Sequence, residues 1–136
     1  MQNKISVNII AKDEKGRYLL QMRDGTVGIC DPLTWNLFGG KIEADEDIID
    51  AGIREFVEET GVRDEKNMFQ YIGHVMYRDD AKEVLDTIHL VEYVGRVVWK
   101  DLDIAEGAGA GFFTLEEIQK IPITDRLRQI YPILQS

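Results

Sequence analysis

Residues 40 to 62 constrain this chain more than any other segment. A short apolar run (Trp35, Leu37, Phe38) ends on Gly39-Gly40, and a helix-forming stretch follows a few residues later. Ile48, Ile49, Gly52, Ile53, Phe56 and Val57 recur at three- and four-residue spacing, so one face of that helix is predicted to be buried. Asp47 is the expected N-cap, Asp50 adds negative charge to a first turn where the helix dipole favours it, and Gly61 suits the position just past the last turn. At about 100° per residue, Glu55, Glu58 and Glu59 share an arc of roughly 100°, mostly outside the apolar set. The segment therefore reads as a glycine turn leading to a helix with a core side and a carboxylate side.

The rest of the chain reads largely as strands. Residues 5–11 alternate, residues 12–16 turn, and residues 17–23 return, which predicts a hairpin. Residues 24–34 read as a loop. Two further strands are expected at 68–77 and 84–94, turning at 79–82, and residues 101–111 read as a glycine-rich loop before a short strand at Phe112-Phe113. Thr114 and Glu117 match a capping box opening a short helix that stops before Pro122. Thr124 or Asp125 starts a terminal helix, which Pro132 is expected to end or kink. Strands in both hairpin and helix-separated order predict an α/β domain, a mixed sheet flanked by helices.

With 136 residues, 44% of them apolar, the chain has material for one domain with a real core and too little for two ordinary ones, so residues 1–136 are taken as a single domain. No apolar run reaches the length of a membrane span, and the start lacks the apolar core of a secretory signal. The single cysteine, Cys30, excludes an internal disulfide framework. The expected location is the cytoplasm, with no membrane partner. A net charge of −9 argues against binding a nucleic-acid backbone, but a divalent cation held by carboxylates can still bridge the protein to phosphate.

Glutamates at i, i+3 and i+4 are by themselves ordinary on a solvated helix face. Placed beside a glycine turn and Glu46 they carry more weight. Three carboxylates so close repel one another unless a cation sits among them. An all-oxygen donor set favours Mg²⁺, with Mn²⁺ as the alternative, over zinc. Such a metal neutralises polyphosphate oxygens and lowers the pKa of a bound water, the chemistry of phosphoanhydride hydrolysis.

Residues 40–62 resemble the Nudix box, Gly-x5-Glu-x7-Arg-Glu-U-x-Glu-Glu-x-Gly-U, where U is bulky and apolar. Gly40, Glu46, Arg54, Glu55, Glu58, Glu59 and Gly61 meet the fixed positions, with Phe56 and Val62 at apolar ones. Seven fixed matches arise by chance roughly once in 10⁸ windows at background frequencies near 7%. The approach from Trp35 to Glu43 and the trailing segment from Glu106 to Glu117 are similar to small, mutator-type Nudix hydrolases. The departures are Phe38 before the two glycines and Asp45-Glu46-Asp47 in place of the usual Gly-Glu-Thr, and neither touches a signature position.

The resemblance implies an α/β/α sandwich that hydrolyses a nucleoside diphosphate linked to another group. It implies Glu55, Glu58 and Glu59 as metal-binding and water-activating carboxylates, Arg54 as the residue that orients Glu55, the Gly40 carbonyl as a further metal ligand, and Glu46 in support. Glu106, followed by glycine, matches the context of an extra metal ligand, although a plain surface loop explains it equally well. A nucleoside triphosphate, oxidised ones included, is the first expected substrate. ADP-ribose or a nucleotide sugar is the alternative, and a nucleotide sensor without turnover is the reading from another class. Many relatives are dimers, which leaves a homodimer open. Trp35 and Arg23 are candidate substrate-binding residues, although an aromatic beside a strand is more often core. His74 and His89, within predicted strands, read as packed or half-exposed.

Overall fold

The computed structural model describes residues 1–23, 33–104 and 109–136. Alternation builds the sheet from its centre. Strand β1 (Gln2–Lys12) turns Val7, Ile9 and Ala11 to one face and Ile10 to the other, and β6 (Val84–Arg96) answers with Val91 and Tyr93 against Ile88 and Leu90. The two run parallel, Ile9 opposite Val91. Strands apolar on both faces need cover on both. Helix α1 (Ile48–Thr60) supplies Ala51 and Phe56 to the first face, while α2 (Leu115–Ile118) and α3 (Asp125–Gln135) supply Ile118, Leu127, Ile130 and Leu134 to the second.

Five more strands complete the sheet: β2 (Tyr18–Met22), β3 (Trp35–Asn36), β4 (Phe38–Lys41), β5 (Phe69–Asp79) and β7 (Gly109–Phe113). The order is β3-β2-β1-β6-β5, with β4 also on β1 and β7 also on β2. This is the expected α/β/α sandwich around a mixed sheet. Among the described residues no helix is long and apolar enough to cross a membrane.

The predicted hairpin forms only at its turn. Asp13 accepts from the amides of Lys15 and Arg17 and from Arg17 Nε, which fixes the reversal, and Lys12 pairs with Tyr18. Beyond that point β4 takes the edge of β1 from Ser6 to Ile9, and β2 pairs with β3 and β7 instead. Both changes are long-range pairings that local alternation does not encode.

Three other expectations shift. Asp47 occupies the N-cap but makes no side-chain cap; its carboxylate meets Lys66 Nζ at 3.2 Å. The stretch read as loop up to residue 111 becomes strand at Gly109, because β2 offers Met22 to Leu20 as partners for Gly109 to Gly111. Pro132 neither ends α3 nor stops it short, since the helix continues to Gln135. Interior proline costs a helix about 3 kcal/mol, and burial of Ile130 and Leu134 on either side of Pro132 offsets it.

The packing under α1 leaves ordinary room at Gly52. A glycine at position 52 would suit an unusually close approach to the sheet. A Cβ built there meets Val91 Cγ2 at 3.4 Å and Val7 Cγ2 at 3.5 Å, which is ordinary contact.

Candidate active site

The helix and the glycine turn meet through backbone as much as through side chains. β4 brings Gly39 opposite Asn8 and Gly40 opposite Val7 in the ladder with β1. α1 packs above, and Glu59, which is 5% exposed, accepts a hydrogen bond from the Gly39 amide at 3.0 Å. Glu55 lies against Gly40 so closely that a Cβ there would sit 2.5 Å from its carboxyl carbon. Glycine at 40 is thus a requirement of close approach.

Arg54 ties the turn, the helix start and the carboxylates together. Its Nε and Nη2 donate to the two oxygens of Glu46 at 2.7 and 2.9 Å, a bidentate pair, and Nη2 also donates to the Lys41 carbonyl at 3.1 Å. Nη1 reaches Glu55 at 3.0 Å and Glu58 at 3.5 Å. Glu46 in turn accepts from the Glu43 amide at 3.0 Å, closing the loop between β4 and α1. The Arg54 guanidinium holds the Glu46 carboxyl below the usual carboxylate range. Its own pKa is raised, chiefly by the hydrogen bond to Glu46.

Glu55 behaves oppositely. Burial pushes its pKa up, against the pull of Arg54, and the neighbouring Glu58 charge pushes the same way. The neighbouring Glu59 acts the other way and lowers it. Glu58 is different again, its side chain 57% exposed and turned towards solvent.

These residues fit a hard divalent cation. The donors are all oxygen, and the glycine cradle keeps Glu55 at the backbone. Among the described residues no three acidic, histidine or cysteine side chains converge as a ready cage. Glu106 and Cys30 lie outside the described residues.

The other named residues make contacts of their own. Trp35 packs with the α3 side of the sheet, its ring edge-on to Phe113 at 4.7 Å and its amide donating to the Pro122 carbonyl. Arg23 follows β2, its amide donating to the Thr34 carbonyl at 2.8 Å. His74 and His89 face each other across β5 and β6, with Tyr71 Oη 3.0 Å from His89 Nδ1.

Sequence reasoning passed over three features. The Gly39 amide and the Lys41 carbonyl act through the backbone, and the Gly-Gly pair was their only signal. Asn8 Oδ1, buried behind Gly39, has no hydrogen-bond partner among the described residues. Asp86, fully buried, accepts from Ser6 Oγ at 2.8 Å and pairs with Arg126 of α3 at 2.9 Å, joining residues 40 positions apart.

A family model for the NUDIX domain matches residues 2–134. The fold is similar to that of a MutT protein from Methanosarcina mazei Go1, 25% identical, with a TM-score of 0.82 over 98% of this chain and 94% of that one. It is similar also to a MutT NUDIX hydrolase from Burkholderia pseudomallei, 22% identical, with a TM-score of 0.76 over 96% and 99%. The NUDIX domain of Shewanella oneidensis NrtR, whose structure was solved as a complex with ADP ribose, is 17% identical, with a TM-score of 0.74 over 99% and 88%. No curated protein sequence matches. The chain belongs to the Nudix family, and it is a pyrophosphohydrolase of that family.

Proposed function

We propose that the protein hydrolyses a nucleoside triphosphate, oxidised forms included, to the nucleoside monophosphate and pyrophosphate with Mg²⁺. The observation that carries this reading is the seating of Glu55 and Glu59 against Gly40 and Gly39, with Arg54 bridging Glu46, Glu55 and Glu58. Glu55, Glu58, Glu59 and the Gly40 carbonyl would hold the metal, which supplies charge neutralisation and a more acidic water. Arg54 keeps Glu55 oriented, and Glu46 keeps Arg54 oriented. Burial of Glu55 sustains its affinity for a proton, as a base acting on water needs. The resemblance of residues 35–43 and 106–117 to small, mutator-type Nudix hydrolases favours a triphosphate.

A second reading, ADP-ribose as substrate, draws on the ADP-ribose complex of the similar NrtR domain. A non-catalytic sensor is disfavoured because every carboxylate of the box is present.

The deciding experiment is a phosphate-release screen with and without Mg²⁺. It covers nucleoside triphosphates, their oxidised forms, ADP-ribose, nucleotide sugars and dinucleoside polyphosphates. Metal-dependent turnover of triphosphates with pyrophosphate as product is expected. Preference for ADP-ribose would select the second reading. Glu58→Gln should lower kcat by about two orders of magnitude or more with an unchanged melting temperature; near-normal turnover would overturn the site assignment.

A further inference from the structure

A depression of roughly 380 Å³ opens where the β1–β2 turn, the end of β6 and β7 come together, lined among others by Lys15, Arg17, Trp99, Lys100 and Phe112. It is separate from the carboxylate cluster, which bears on Gly39 and Gly40 of β4. Trp99 stands on a one-turn 3-10 helix (Trp99–Asp101), held by the Leu102 amide donating to the Trp99 carbonyl at 3.1 Å. Its ring meets Phe112 edge-on at 6.0 Å, yet the residue is 57% exposed. Tryptophan normally buries most of its surface, so this indole presents a rigid apolar plane to water.

The charges around it are unequal. Asp13 is spent on Arg17, its carboxylate 2.7 Å from Nη2, and that contact holds the guanidinium over the Phe112 ring at 5.9 Å. Lys15 and Lys100 line the same depression and, among the described residues, neither makes an ion pair. Glu14 is the remaining acid of the lining. In a chain of net charge −9, a concave surface with two uncommitted ammonium groups beside an exposed aromatic plane selects a small ligand that is flat at one end and anionic at the other. A long phosphodiester chain would meet the acidic surroundings.

We propose that this depression is a second binding site, for a mononucleotide. The base stacks on Trp99, and the phosphate is taken by Lys15 and Lys100, with Arg17 holding the ring platform in place. The size lies within the usual range for small-ligand sites, about 300–1,000 Å³.

The test is an amide and indole NMR titration of the full chain, with the Trp35 and Trp99 indole signals distinguished by Trp99→Phe. AMP serves as the probe, since it has no phosphoanhydride to hydrolyse, with adenosine and ribose 5-phosphate as the half-ligands. The expected result is a saturable shift of the Trp99 signal with AMP, and binding about tenfold weaker or worse for each half-ligand. Lys15→Glu combined with Lys100→Glu should weaken AMP by about tenfold or more at Trp99, in a protein whose spectrum otherwise superimposes on the wild type. An unmoved Trp99 signal at millimolar AMP would overturn the proposal. So would a shift that adenosine reproduces at the same concentration, or one that the lysine double variant leaves unchanged.

Discussion

Gly40→Ala separates catalytic geometry from folding. A Cβ at position 40 falls 2.5 Å from the Glu55 carboxyl carbon and 2.7 Å from Oε2. Ordinary contact needs about 3.5 Å, so the carboxylate must retreat by about 1 Å. The group displaced is the far end of a flexible side chain, already held by Arg54 Nη1 at 3.0 Å. A rotamer change relieves the clash for about 1 kcal/mol, and the fold survives. Catalysis does not have that latitude, because misplacing a reacting group by about 1 Å costs about 10²-fold in rate. Gly39→Ala provides the contrast. Its Cβ would fall on the Val7 carbonyl oxygen and 2.9 Å from Asn8 Cα, and that backbone belongs to the central strand. Nothing there can yield without breaking the β1–β4 ladder. Gly40→Ala should therefore melt within a few degrees of wild type while losing about 10²-fold in kcat, and Gly39→Ala should fail to give a cooperative thermal transition near the wild-type temperature. Melting by circular dichroism and steady-state pyrophosphate release measure both. A Gly40→Ala protein with wild-type turnover would refute the placement of Glu55, and a normally stable Gly39→Ala protein would refute the geometry of the turn.

Elsewhere, Gly52→Ala should stabilise the protein by about 1 kcal/mol, since the new methyl meets Val7 and Val91 at ordinary distance; a rise of roughly 3–5 °C in Tm is expected, and a fall would mean α1 sits tighter on the sheet than its geometry indicates. Arg126→Ala leaves the fully buried Asp86 with Ser6 Oγ as its side-chain partner among the described residues. Urea denaturation should register a loss of about 3 kcal/mol, the low end for a broken buried pair because Arg126 keeps about a third of its side chain in water; Arg126→Met with Asp86→Asn should lose less than that single change. Glu46 has a folded pKa below its unfolded value, so its contribution to stability is complete above the ordinary carboxylate range and is lost as pH falls through the lowered folded value. Glu46→Gln should accordingly flatten the acid limb of the Tm–pH curve below about pH 4.5, and an unchanged limb would remove the Arg54 pair as its cause.

The amino-acid sequence by itself determined the parts whose physics is local. The period of Ile48, Ile53, Phe56 and Val57 specifies α1, Gly61 supplies its left-handed end at φ 76°, and the spacing of Glu55, Glu58 and Glu59 names the chemistry. Thr114 and Glu117 form the capping box they spell out. Tertiary structure decided whatever depends on partners distant in sequence. Local alternation could not reveal that β1 would leave β2 after one pair to take β4 and β6, because unpaired strand edges accept any compatible neighbour. Nor could helical geometry reveal that three glutamates on one arc would meet three different environments. Glu59 is buried against the Gly39 amide, Glu55 is wedged between Arg54 and Gly40, and Glu58 stands in solvent. A side chain's identity fixes what it can donate or accept, but its proton affinity follows from burial and neighbouring charge, and packing alone supplies those.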